Sequence, residues 1–170
     1  LNYGSSGNGS PQHLGAELLK KSSGIDMVHV PYKGASQAIA DLLGGRLQVF
    51  VGAAGSLFPH IKDARLRVLA SAGNQRRPAF PDVPTIVETL PGVEVDAWLG
   101  VFMPANVPKE IVSKVNADIS SVLNTPEMKV SLSAQGIEVA TSSPEALVTT
   151  MRDDYARWGR LIREASIKAD

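Results

Sequence analysis

The feature that most constrains the fold of this chain is an alternation that occurs three times in its first part. Each time, a short β-prone or largely apolar run is followed by a loop and then by a helical pattern. The runs are 2–3, 27–30 and 47–51, and the helical patterns after them are 11–22, 36–43 and 57–62. Such alternation is typical of a parallel sheet covered by helices. The sequence therefore predicts an α/β fold.

The second part of the chain is different, because helical patterns dominate it. Helical patterns lie at 108–123, 126–136 and 144–164, and β-prone runs of this part lie only at 93–103 and 137–140, whereas a further predicted strand at 66–71 belongs to the first part. Pro108 and Pro126 start two of these helices, and Ser143 caps the third. The organisation thus splits near residues 90–97. The helices of the second part have apolar faces that need more sheet than this part supplies, so we expect partner strands on the N-terminal side.

Composition excludes several classes of function. Lys plus Arg equals Asp plus Glu at 17 each, so no overall charge attracts nucleic acid or an anionic membrane. The absence of cysteine excludes thiol catalysis and zinc thiolate sites, and it fits a cytoplasmic or a periplasmic protein equally well. Four Phe, three Tyr and two Trp are too few rings for an aromatic cage or a base-stacking platform.

The strongest chemical signal is the loop of residues 4–10, Gly-Ser-Ser-Gly-Asn-Gly-Ser, which joins the first run to the first helical pattern. A helix start offers unpaired backbone N–H groups and the positive end of the helix dipole. The loop has neither the dinucleotide fingerprint nor the Gly-Lys-Ser/Thr of a P-loop, so it suits a carboxylate better than a triphosphate. A tight connection without a ligand, or a nucleotide-phosphate loop, is the alternative. The predicted ligand-binding residues of this loop are Ser6, Gly7, Asn8, Gly9 and Ser10.

Two more loops lie at the carboxyl ends of predicted strands, where open α/β sheets bind ligands. In the second loop, Tyr32 could donate a hydrogen bond to a ligand and Lys33 could pair with its carboxylate, or the two could simply pack and be solvated. The third loop has small residues that leave room beside a pocket, namely Gly52, Ala53 and Ala54. Trp98, where the chain crosses between its two parts, either lines a cleft or packs in the core.

Catalysis is the alternative function, because Ser5, Ser6 and Ser10 have His13 nearby in sequence. A small hydrolase or transferase could use such a serine as a nucleophile. No orienting acid accompanies the pair, so a capping or packing role for His13 is favoured. The three histidines, His13, His29 and His60, are not spaced as metal ligands, and we expect no metal and no cofactor.

A set of short motifs in collinear order makes the chain similar to a known family. They are HVPYKG at 29–34, QA at 37–38, DLLGG at 41–45, L-x-PHIK at 57–62, FPDVPT at 80–85, AW-x-G at 97–100 and PA-x-x-P at 104–108. The loop 4–10 followed by His13-Leu14, and the end with Trp158, Ile162 and A-x-IK-x-D at 165–170, also match. Together they resemble the extracytoplasmic solute receptors of tripartite tricarboxylate transporters, often called the Bug family.

The resemblance implies a periplasmic-binding-protein-like α/β fold of type II, with two lobes that close on a small carboxylate. On that template residues 1–92 correspond to lobe two, and 93–170 to a crossing strand and the C-terminal helix-rich part of lobe one. The loop 4–10 corresponds to the ligand loop of lobe two. The polar residues that the family often has after the third strand are replaced here by Gly52, Ala53 and Ala54, which implies a roomier pocket wall.

The resemblance also implies a periplasmic location, permease subunits of the transporter as partners, and no catalysis. The opening Leu-Asn-Tyr-Gly reads as the end of a strand, so we expect an N-terminal part, with the first strands of lobe one, to be missing. A chain of that kind should hold its ligand weakly and tend to self-associate through uncovered faces.

Overall fold

The computed structural model describes residues 1–78 and 80–168, so Asp170 of the C-terminal motif lies outside the described residues. Three short strands, six α-helices and one short 3₁₀ helix (Ile86–Glu88) follow one another in the described part. The strands are β1 (Asn2–Ser5), β2 (Val28–Pro31) and β3 (Val49–Phe50). The helices are α1 (Pro11–Ser23), α2 (Ala35–Leu43), α3 (Ala54–Lys62), α4 (Lys109–Leu123), α5 (Pro126–Ser133) and α6 (Pro144–Glu164).

The three strands form one parallel sheet in the order β2-β1-β3. Tyr3 lies opposite His29 on one side and Val49 on the other, so β1 is the central strand. Gly4 can occupy this centre because it has no side chain: a Cβ atom there would lie 2.5 Å from Leu47 Cδ1. The central position of β1 places the loop that follows it in the middle of the carboxyl edge of the sheet.

The core of this sheet lies between β1 and α1. Tyr3, Ala16 and Met27 are buried together, and Leu19, Val49 and Val51 pack against them. Gly15 of α1 faces Val95, whose Cγ2 would be 3.0 Å from an added Cβ atom, so α1 approaches the 93–95 segment closely. The Lys21 ammonium pairs with the Glu164 carboxylate and connects the end of α1 to the end of α6.

Residues 66–71, 93–103 and 137–140 do not form the strands predicted for them. An isolated bridge between Ser71 and Thr85 is the nearest approach to a ladder. A β-strand needs a neighbouring strand to receive its backbone hydrogen bonds, and the described residues provide none beside these runs. Their β-prone composition reports a preference for extended backbone, which by itself does not build a sheet.

The chain divides into two compact units. The first contains Leu1–Ala97 together with the C-terminal residues from Arg160 onward, and the second contains Trp98–Gly159. Within the second unit, all of which the structure describes, no side chain is buried, and Ile111, Val122 and Val148 of its helices are exposed. The prediction that these helices lack a covering sheet is therefore confirmed. The assignment of 1–92 and 93–170 to two lobes stays a prediction.

Among the described residues, no helix is both long and apolar enough to cross a membrane.

Replacing Ser10 by alanine should lower the free energy of unfolding by about 1 kcal/mol, because Ser10 caps α1. Its Oγ atom accepts a hydrogen bond of 3.3 Å from the backbone N–H of His13, and its φ and ψ of −64° and 156° are those of an N-cap. Urea denaturation of the two proteins measures the difference. Ser10→Gly should lose only a few tenths of a kcal/mol, since glycine is itself a tolerated N-cap; equal losses in the two variants would contradict the capping role.

Candidate functional site

The predicted ligand loop runs from the end of the central strand to the start of α1, and it lies directly beside the loop that follows β2. The Tyr32 backbone N–H donates to the Ser5 carbonyl at 3.2 Å. A Cβ atom added to Gly7 would lie 3.5 Å from the Tyr32 carbonyl oxygen. The structure thus brings together two of the three predicted junctions.

Hydrogen bonds inside the loop fix its backbone. Gly7 N–H donates to Ser5 Oγ at 3.2 Å, Ser10 N–H to the Gly7 carbonyl at 3.2 Å, and Gly9 N–H to His13 Nδ1 at 3.1 Å. Gly7 and Gly9 have φ of 138° and 72°, in the half of conformational space that favours glycine. Three backbone N–H groups of the predicted cradle therefore already have acceptors within the protein. The loop is a formed structure, and fewer of its N–H groups face a ligand than its composition predicts.

The donors best placed to exchange partners are side chains. Ser6 Oγ donates to Gln12 Oε1 at 2.9 Å, and both residues are only partly buried. A carboxylate could replace the Gln12 oxygen as acceptor, while the Gln12 amide NH₂ and the Gln12 backbone N–H, in the first turn of α1, offer further donors. Asn8 is half-buried at the turn of the loop. Gln12 is a binding candidate that the sequence interpretation missed; its place in the first helical turn is the signal that could have found it.

A stack of three rings lies beneath the loop, and the sequence did not predict it. The rings of His13 and His29 are parallel within 11°, with centroids 3.8 Å apart. The ring of Tyr3 stacks on His29 at 4.9 Å. His29 Nε2 lies 2.7 Å from Ser5 Oγ, which donates to the Gly7 carbonyl at 3.0 Å. The stack therefore contacts the loop at two points, through Ser5 to Gly7 and through His13 to Gly9.

Charge is concentrated at one end of this stack. Tyr3 Oη donates to Glu17 Oε1 at 2.7 Å, and Lys20 Nζ lies at 2.7 Å from the same oxygen. Burial, followed by the hydrogen bond to Glu17, raises the pKa of the Tyr3 phenol. Burial alone would raise the pKa of Glu17, but the hydrogen bonds from Lys20 and Tyr3 outweigh it and lower that pKa. Burial also lowers the pKa of His13. At neutral pH the Tyr3 phenol and the His13 imidazole are therefore uncharged, and the Tyr3 end of the stack meets the Glu17–Lys20 ion pair.

The side chain of Tyr32 is engaged within the protein. Its hydroxyl donates to Asp41 Oδ2 at 2.7 Å, and Asp41 also accepts from Arg46 Nε at 2.8 Å. The hydrogen bond to Asp41 raises the pKa of Tyr32. Tyr32 can consequently offer a ligand an oxygen acceptor or a ring face more readily than a donated hydrogen. Lys33 beside it is exposed.

The predicted wall residues connect β3 to α3. Gly52 is half-buried, Ala53 is the exposed N-cap of α3, and Ala54 is its first residue. A side chain at Gly52 would collide with the ring of Phe50, so the loop must be small there. Trp98 belongs to the second unit, where its Nε1 atom donates to Asp154 Oδ2 at 2.6 Å. A ligand contact of Trp98 stays a prediction.

The catalytic alternative needs a base within reach of Ser6 or Ser10. Ser6 Oγ is bonded to Gln12, and Ser10 Oγ accepts from a backbone N–H. The serine that does lie beside an imidazole is Ser5, and it is 0% exposed, so no substrate reaches it. Across 1–78 and 80–168, no group of three or more His, Asp or Glu side chains is arranged to hold a metal ion.

Comparison with known proteins identifies chains of the same type. A family model described as "Tripartite tricarboxylate transporter family receptor" matches residues 1–167. A curated relative from Pseudomonas sp. (strain P51), the "UPF0065 protein in tcbD-tcbE intergenic region", is 36% identical over 100% of this chain and 51% of its own length. The chain spans about half the length of most of the curated relatives it matches.

Solved structures give the same result for the fold. The structure "R. palustris Rpa4515 with adipate" matches this chain with a TM-score of 0.88 and 32% identity, and the match covers 98% of this chain and 56% of the R. palustris chain. The periplasmic binding protein BugD matches 100% of this chain and 58% of its own, with a TM-score of 0.80 and 26% identity. The predicted periplasmic-binding-protein-like α/β fold is confirmed over the shared part, and the alternative of a small hydrolase or transferase finds no support.

Proposed function

Because this chain belongs to the tripartite tricarboxylate transporter receptor family, we propose that it serves to capture a small carboxylate-bearing solute and deliver it to a membrane transporter. The loop of residues 4–10 is the proposed site of capture. Its fixed backbone at the start of α1, in the centre of the carboxyl edge of the sheet, is the observation that carries the proposal.

The chemistry of the loop supports a carboxylate. Its donors are neutral, namely hydroxyls, an amide and the N–H groups of a helix start, and such donors bind a single carboxylate well. Their hydrogen-bond partners within the protein hold them in position before a ligand arrives, which lowers the conformational entropy lost on binding. The adipate of the R. palustris neighbour is a solute of the proposed class.

The proposed contacts follow from the geometry of the loop. Ser6, Gly7, Asn8, Gly9 and Ser10 form the cradle, with Ser6 and Gln12 supplying the donors that exchange onto the ligand. Tyr32 lies beside the cradle, and Gly52, Ala53 and Ala54 shape the wall. Trp98 is a further proposed ligand contact.

The proposed role requires no bond to be made or broken, so the protein acts without a catalytic base, metal or cofactor. Permease subunits of a tripartite tricarboxylate-type transporter are the proposed partners, and the periplasm is the proposed location. The periplasmic neighbour BugD supports that location. Residues 1–92 and 93–170 are the proposed parts of lobe two and lobe one.

Adipate should bind this chain, and adipamide, which has the same length without the charges, should not. The binding can be followed by amide chemical shifts, which detect even millimolar affinities. Ser6→Ala should weaken adipate binding about tenfold, since a hydrogen bond to a charged group is worth about 1.5 kcal/mol. Ser22→Ala, on the exposed far end of α1, is the matched control and should bind as the unchanged chain does. Equal binding of adipate and adipamide, or no shift at residues 4–12 with either, would exclude carboxylate capture at this loop.

A further inference from the structure

The ring stack beneath the loop contains a buried titratable group, His13, whose role the proposed function leaves open. His13 is 7% exposed, and its Nδ1 atom accepts the Gly9 N–H at 3.1 Å. An imidazole nitrogen can accept a hydrogen bond only while it carries no proton. The observed contact therefore defines the state of the ring: Nδ1 is unprotonated and His13 is neutral.

This contact is the second half of a cap at the start of α1. Ser10 Oγ accepts the backbone N–H of His13, and the His13 side chain reaches back to Gly9, the residue before the N-cap. A capping box normally uses Glu or Gln at the position of His13 and returns to the N-cap residue itself. The use of an imidazole makes this end of the loop dependent on a group that titrates between pH 5 and 8 when unperturbed.

Burial opposes a charge on His13, and the charged groups near it act in both directions. His29 from β2 lies face to face with it at 3.8 Å, and Tyr3 from β1 lies at 6.4 Å. On its own helix, Glu17 favours a charge on His13 and Lys20 disfavours it, and these two are paired with each other. Val95 packs against α1 without a charge, and the Lys21–Glu164 pair lies at the far end of the helix. Burial is the dominant effect and lowers the pKa of His13 from its ordinary value of 6.5.

We infer that His13 is a positioning residue for the ligand loop, which holds Gly9 in the binding conformation only while its ring is neutral. This inference rests on the proposed function for its ligand but not for its geometry. When Nδ1 gains a proton, two donors face each other and the Gly9 contact is lost. The loop then loses one of its two attachments to the stack, and the other, from Ser5 to Gly7, remains. A lower pH therefore weakens carboxylate binding in two ways, because it protonates His13 of the protein and also protonates the carboxylate of the solute.

The sign of the pH effect follows from the lowered pKa. The folded chain binds the proton of His13 less readily than the unfolded chain does. The contribution of neutral His13 to the stability of the folded loop is fully present above the ordinary histidine pKa of about 6.5. It is lost as the pH falls through the lower pKa of the folded state.

The test measures the Gly9 amide by NMR in the unliganded chain, from about pH 8 to about pH 4.5, which spans the histidine range. The Gly9 N–H signal should move in one step together with the His13 ring signals. In His13→Asn, whose side-chain oxygen takes the place of Nδ1 and does not titrate, the Gly9 signal should stay constant. His60→Asn in α3 is the matched control and should keep the step of the unchanged chain. A Gly9 signal that ignores the titration of His13, or one that titrates equally in His13→Asn, would overturn the inference.

Adipate affinity completes the test. Between about pH 7.5 and the acid end of the Gly9 step, the unchanged chain should lose up to about tenfold more affinity than His13→Asn, the loss of one partly buried hydrogen bond. The comparison cancels the protonation of adipate itself. His13→Phe keeps a ring in the stack but has no acceptor, so it should bind weakly at both pH values. If adipate binds none of these proteins, the proposed function fails while the Gly9 titration still decides the role of His13; equal losses in all variants would refute its role in binding.

Discussion

Replacing Tyr3 by alanine should lower the free energy of unfolding by about 3–5 kcal/mol, the range for removing a large aromatic side chain from a core. Tyr3 is 0% exposed on the central strand, in a cluster with Ala16 and Met27. Its ring also stacks on His29 at 4.9 Å. Alanine leaves a cavity between β1 and α1 that a three-stranded sheet closes poorly. Urea denaturation followed by circular dichroism measures the loss.

Two controls distinguish the effect of losing the Tyr3 ring from the effect of losing its hydroxyl and from the effect of replacing any tyrosine of the chain. Tyr3→Phe keeps the ring and loses only the hydrogen bond to Glu17, so it should cost about 1 kcal/mol. Tyr155→Ala removes an 85% exposed ring from α6 and should change stability by less than about 0.5 kcal/mol. If Tyr3→Ala destabilised the chain no more than Tyr155→Ala does, the core would lie elsewhere.

The part of the fold that local pattern determines could be predicted from the sequence. Pro108, Pro126 and Ser143 were predicted at helix starts; the structure begins α5 at Pro126 and places Pro108 directly before α4 and Ser143 directly before α6. Gly24, in the left-handed conformation with φ of 71°, ends α1 in the same local manner. These signals act within one helical turn, which is why they can be read without knowledge of the fold.

Features that depend on distant residues could not be predicted in this way. The run 66–71 has the composition of a strand, but a strand exists only where another backbone lies beside it. The ring stack joins residues from β1, α1 and β2, and it depends on the register that places Tyr3 opposite His29. In the sequence the histidines look scattered, because their contact arises only when β2 pairs with β1.

The candidate loop also combines features that could be predicted from the sequence with features that could not. Its position at a strand end and a helix start follows from the sequence, and the structure agrees. The sequence does not reveal which of its N–H groups already have acceptors: Gly7 N–H donates to the Ser5 side chain within the loop, and Gly9 N–H donates to the His13 side chain beyond it. Composition thus predicts a cradle of backbone donors, whereas the geometry emphasises Ser6 and Gln12.

Replacing Gly7 by alanine should weaken adipate binding roughly 10- to 100-fold, because a residue with a Cβ atom is strained there by about 1–3 kcal/mol. Gly7 has φ of 138°, and the nearest atom to an added Cβ is the Tyr32 carbonyl oxygen at an ordinary 3.5 Å. Space is therefore available, and the effect comes from the backbone. To relieve the strain the loop must rotate about Gly7. This rotation breaks the hydrogen bond from Gly7 N–H to Ser5 Oγ and the hydrogen bond from Ser10 N–H to the Gly7 carbonyl. Amide chemical-shift titration with adipate measures the loss.

Gly92→Ala is the matched control for Gly7→Ala, because Gly92 has φ of 87° and open space where a Cβ atom would lie. It introduces the same kind of backbone strain in a turn outside the loop, so it should lower stability while leaving adipate affinity unchanged. Stability and affinity thus respond separately in the two variants if the loop binds through a fixed backbone. Should Gly7→Ala lose stability but bind adipate like the unchanged chain, the ligand would be held by side chains alone, and the conformation of the loop would not matter for capture.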